Sequence, residues 1–152
     1  MKKSYMAYAP LTLGVFAAGI LIGGADLRVF WDPPSLMIVF LPVIFLLLSV
    51  FGPSGIVDAF RAAFDETPSK SEVLKGIAFF SMATRIILLS GFMGTLMGVL
   101  MTLYGISKSQ DIPVAFYIVI ASQTVCYAVV MVLIVTVPFK SALEKKLAAL
   151  SL

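Results

Sequence analysis

An apolar run from Gly76 to Tyr104, interrupted by a single charge at Arg85, most constrains what this chain can fold into. It is longer than the roughly 20 apolar residues that cross a hydrocarbon core. Within it, Gly91, Thr95, Gly98 and Thr102 recur at steps of four and three, which places them on one face of a helix. Leu88, Thr84 and Ser81 extend the same line backwards. A small, hydroxylated face gains nothing from lipid. It suits another helix, a water file, or both. Gly94-x-x-x-Gly98 is a common close-packing pattern, so Gly91, Gly94 and Gly98 are expected at helix–helix contacts.

The rest of the chain repeats the message. Of 152 residues, 61% are hydrophobic and 12% charged, against about 25% charged in soluble domains. The reading is all-α: an integral membrane four-helix subunit in one domain, 1–152, with spans at 5–24, 35–51, 76–104 and 113–137. Lys2 and Lys3 before an apolar stretch have the look of a signal peptide. The charged sequence after Gly24 lacks a small-residue cleavage pattern, so the stretch reads as a first span instead. Its Gly14, Ala17, Ala18 and Gly19 make it thin enough for close helix contact. Ala25 to Pro34 is a short connection whose Phe30 and Trp31 suit a membrane interface. The second span, Ser35 to Phe51, is apolar all round, reads as lipid-facing, and should kink at Pro42. A polar loop, 52–75, follows, with Ile56 to Phe64 as a short surface helix. Gly105 to Ile112 forms the last loop. Pro138 closes the fourth apolar run ahead of an amphipathic tail with Lys140, Lys145 and Lys146.

Basic residues set the orientation. With the N-terminus in the cytoplasm, Lys2, Lys3, Arg61, Lys70, Lys75, Arg85, Lys140, Lys145 and Lys146 lie on that side. Only Arg28 and Lys108 lie opposite, which accounts for all eleven. Both termini are therefore expected in the cytoplasm.

The chemistry available is narrow. There is no histidine, and the single Cys126 sits in an apolar run, which excludes a disulfide framework and a Cys/His metal site. Net charge comes from residues at helix ends and gives no reason to invoke nucleic acid. No nucleophile–base pair or phosphate-cradling loop is present, so neither enzyme activity nor a cofactor is expected. None of the predicted spans carries an acidic residue. What the spans do carry is Thr95, about 13 Å from the outer end of the third, and Thr124, about 16 Å into the fourth. Both depths fall near mid-membrane. Gln123 and Ser122 adjoin Thr124. Two readings stay open: hydroxyls bonded to their own helix backbone, or a shared polar site.

Three segments resemble the MotA, TolQ and ExbB proton-channel family in order. Gly24 to Val39, GADLRVFWDPPSLMIV, is similar to the segment joining the first two helices of MotA. Gly91 to Leu103, GFMGTLMGVLMTL, resembles the third-helix signature. Thr124, Tyr127, Ala128 and Pro138 match the last helix in spacing. The resemblance implies a bacterial inner-membrane protein, five copies of which surround a single-span MotB/ExbD/TolR-like partner. That partner's aspartate takes and releases the ion, proton or sodium, and Thr95 and Thr124 fall where the family places hydroxyls facing it along the ion pathway. Gln123 is the next candidate for that pathway, the alternative being a bond between neighbouring subunits. Two departures stand out: Val125 occupies a position where many stator subunits have a second threonine, and 52–75 leaves no room for MotA's large cytoplasmic domain. A membrane scaffold that kept the fold and lost transport is the competing reading.

Overall fold

A computed structural model describes residues 2–108 and 114–151, helical almost throughout and with no strand among them. Ser109, Asp111 and Pro113, assigned above to the last loop and the start of the fourth span, lie outside the described residues. Helix α1 runs Lys2–Ile22, α2 Pro33–Phe64, α3 Lys70–Ser107, α4 Val114–Met131 and α5 Val137–Ala149. A short 3₁₀ turn, Leu27–Phe30, precedes α2, and a π turn, Val132–Thr136, joins α4 to α5 in one continuous rod. Three helices are long and apolar enough to cross a membrane: Pro33–Phe64, Lys70–Ser107 and Tyr117–Ala149. The protein is therefore a multi-pass membrane protein. Helix α1 contributes a shorter apolar stretch, Ala7–Ile22.

Local sequence explains the boundaries. Gly24, at φ +76°, takes a backbone conformation that side chains disfavour and ends the first helical segment. The Asp32 carboxylate accepts the Ser35 N–H at 3.3 Å, and Pro33 and Pro34 fill a first turn where no N–H is missed. Ser69 and Glu72 bond reciprocally as a capping box at the start of α3. At the other end of α2, Lys146 Nζ donates to the carbonyls of Ala62 (2.9 Å), Ala63 (2.8 Å) and Asp65. These are the carbonyls a helix C-terminus leaves without partners, and the ammonium also suits the negative end of the helix dipole.

Four expectations are corrected. The break in α2 comes at Gly52 (φ +66°, ψ 172°), not at Pro42, where the backbone stays helical. Only glycine takes that conformation without strain, whereas a proline deletes one hydrogen bond and can be absorbed. The segment 52–75 is not an open loop: α2 resumes to Phe64 and α3 starts at Lys70, leaving five residues, 65–69, between them. Nor is Ile56 to Phe64 a separate short helix: it is the last part of α2, with Ala59, Ala62 and Ala63 buried in the core. The second helix is not wholly lipid-facing either. Ser35, Val39, Val43 and Leu47, spaced by four, form a buried stripe on a helix whose main neighbour is α3.

Pro138 ends the apolar run without ending the helix. Its ring would collide with the carbonyl four residues back, and the preceding π turn widens the spiral there, with Val137 N–H reaching Val132 O. Below that turn, Phe60 meets Phe79, Phe80 and Phe139 edge-on or nearly so, with centroids 5.1–6.1 Å apart. Phe80 and Leu143 are fully enclosed here. Tyr5 joins at 4.9 Å from Phe139, which is how α1 reaches the bundle. Tyr8, Ala9 and Thr12 face the α4–α5 rod across a groove, and beyond them Gly14 and Gly19 face open space, so their expected close contact does not occur within one chain.

The helices do not end flush. Ile38, one turn into α2, packs at Gly94, and Tyr127 bonds to the connection at Phe30 and Asp32. The start of α2 is thus level with Gly94 and Thr124, while α3 continues 13 residues further to Ser107, about 20 Å at 1.5 Å per residue. Thr95 and Thr124 therefore share a level with the connection that was placed at the outer interface, and the two cannot differ by half a membrane. The reason is length: α3 has 38 residues, about 57 Å, against a hydrocarbon core of about 30 Å.

Candidate functional site: the threonine seam

Helices α3 and α4 run antiparallel and touch along the glycine face. A Cβ at Gly91 would stand 2.4 Å from Ala128 Cβ and 2.9 Å from Thr124 O. At Gly94 it would meet Thr124 Cγ2 at 2.8 Å, and at Gly98 Ala121 Cβ at 2.6 Å. Each glycine is what lets the opposite helix come in. The contact lies within one chain, whereas the sequence reading expected leucine at Gly94 or Gly98 to break an oligomer.

This closeness builds the polar site. Thr95 Oγ1 and Thr124 Oγ1 are 2.9 Å apart across the seam. Thr95 reaches Ala121 O on α4 at 2.8 Å, and Thr124 reaches Gly91 O on α3 at 3.0 Å. Each hydroxyl also lies near its own helix's carbonyl, Thr95 to Gly91 O at 3.2 Å and Thr124 to Ala121 O at 2.9 Å. Two protons are shared among these oxygens, and several donor patterns are available without moving a heavy atom. Thr124 is 2% exposed and sealed in, whereas Thr95 is only part-buried. Gln123 is buried at 4% exposure, and Ser122 is exposed and bonded to Ile118 O at 2.8 Å.

Two further contacts escaped the sequence reading. Thr84 and Thr136 repeat the arrangement nearer the aromatic cluster, with hydroxyl oxygens 2.8 Å apart. Thr84 also donates toward Phe80 O, and Thr136 toward Val132 O. The signal was available: pairing residues about the centre of an antiparallel hairpin puts 84 opposite 136 as it puts 95 opposite 124. The other contact is Tyr127, whose hydroxyl donates to Phe30 O and accepts from Asp32 N–H at 3.3 Å. It pins the connection to α4, one turn from Thr124. Tyr127→Phe should remove both bonds and cost about 1–2 kcal/mol. The checks are thermal unfolding in detergent, and faster labelling of a cysteine placed at exposed Arg28.

Among the described residues no group of three or more His, Cys, Asp or Glu could hold a metal ion. The seam can exchange hydrogen bonds with an ion-carrying group, but it holds no charge itself. No family model and no curated protein matches the chain.

Proposed function

We propose that this chain is the channel-forming subunit of an ion-driven complex, proton or sodium, in the bacterial inner membrane. Five copies form a ring around a single-span MotB/ExbD/TolR-like partner that supplies the cycling carboxylate. The observation that carries the reading is the reach of the α3–α4 hairpin beyond α2. Above Gly94, Leu96, Leu100, Met101, Leu103 and Tyr104 are 40–72% exposed, and neither α1 nor α2 extends to cover them. Hairpins standing together in a ring would cover this apolar surface. Part-buried Thr95 then meets the partner's carboxylate, with Thr124 behind it as the second member of a relay. A hydroxyl donates to an ionised carboxylate and accepts from a protonated one, which a cycling acid requires. Without such partners a buried charge costs several kcal/mol.

A second reading, a membrane scaffold that retains the fold without transport, is favoured by one observation. The two hydroxyls already satisfy each other and the backbone, so packing alone accounts for them. Affinity purification in mild detergent followed by native mass spectrometry separates the two. The channel reading expects five copies with a co-purifying single-span protein that has an aspartate early in its span. A homo-oligomer with no such protein sinks it and leaves the scaffold.

A further inference from the structure

We infer that the groove between α1 and the α4–α5 rod binds one anionic phospholipid, its phosphate held beside Lys145. The groove encloses about 520 Å³, within the roughly 300–1,000 Å³ of ligand pockets. On the rod its wall runs from Leu133 to Lys146, 13 residues or about 20 Å. That matches one leaflet: about 15 Å of hydrocarbon plus a headgroup layer of roughly 5–7 Å. Charge is confined to one end of the same line. Leu133, Ile134 and Pro138 line the deep part of the rod, Ser141 and Ala142 follow, and Lys145 and Lys146 line the end where the aromatic cluster lies. On the α1 wall the Thr12 hydroxyl is taken up by Tyr8 O at 2.8 Å. An acyl chain along the wall would thus bring its phosphate level with the two ammonium groups.

The charges favour an anion specifically. Lys146 has its Nζ taken up by three carbonyls, and the carboxylates of Asp65 and Glu66 are close enough to offset part of its charge. Lys145 is exposed and forms no ion pair among the described residues, so its three N–H donors are available. No acidic residue lines the groove. Glu144, next along α5, is already paired with Lys140 at 3.7 Å. Basic pockets between transmembrane helices are suited to acidic headgroups, each lysine near the surface being worth about fivefold in affinity. The inference needs only that the protein spans a membrane, not that it conducts ions.

The test is native mass spectrometry of the detergent-extracted protein given equal phosphatidylglycerol and phosphatidylcholine. Wild type should retain one phosphatidylglycerol per chain in preference to phosphatidylcholine. Lys145→Gln, at an exposed position with no structural bond, should lower that preference about fivefold. Lys70→Gln, a charge removed at an exposed position outside the groove and in no ion pair among the described residues, should leave it unchanged. Equal retention of the two lipids would overturn the inference, reducing the groove to a non-selective acyl contact. So would a preference that survives Lys145→Gln, or one lowered equally by Lys70→Gln.

Discussion

Gly91→Leu is expected to yield almost no monodisperse protein on size exclusion. Even a methyl at this position lands 2.4 Å from Ala128 Cβ and 2.9 Å from a carbonyl of α4, and backbone cannot step aside as a flexible side chain can. Overpacking a core costs about 1–3 kcal/mol when neighbours can shift, and here the only relief is to separate the helices. Separation would also break Thr124 from Gly91 O and Thr95 from Ala121 O, so packing and hydrogen bonding fail together. Gly91→Ala should be intermediate, lowering the unfolding midpoint but leaving folded protein. Gly14→Leu is the control, because nothing lies within 4 Å of that position and no loss is expected. If Gly91→Leu elutes and melts like wild type, the α3–α4 seam is not as drawn.

Replacing Thr95 and Thr124 together with valine should have the opposite profile: little loss of protein and a large loss of function. Valine keeps threonine's shape, so the glycine contacts survive. Interhelical hydrogen bonds in membranes average about 0.6 kcal/mol and reach about 1.7, which a seam of this length can lose. Under the channel reading, ion flux of the reconstituted complex should fall at least about tenfold, equivalent to about 1.4 kcal/mol on the barrier. Thr95→Val alone should account for most of that, because Thr95 is only part-buried while Thr124 is enclosed. Full flux in the double variant at normal complex levels would remove both threonines from the mechanism.

Sequence by itself determined the class of this protein and the face on which α3 meets its neighbour α4. Apolar runs of spanning length leave the backbone no partner but itself, which forces helices, and a period of three and four places Gly91, Thr95 and Gly98 in one line. The same reasoning found Thr95 and Thr124, because two hydroxyls equidistant from a hairpin turn must come level. It could not find that these hydroxyls spend their bonds on each other's helix. Periodicity gives the direction of a side chain but not how closely the opposite backbone approaches, and that approach is set by Ala121 and Ala128 facing the glycines. Hydropathy likewise misjudged 52–75, since charge marks where a chain leaves lipid and not where a helix stops. Asp58 and Arg61 are exposed on one side of a segment whose alanines are buried on the other. Only the tertiary structure decided relative height. Each span was placed against an imagined membrane, whereas Tyr127 bonding to Phe30 and Ile38 packing at Gly94 fix α2 against α3 and α4 directly. Contacts between residues 56 to 97 positions apart carry that information, and no local pattern encodes them.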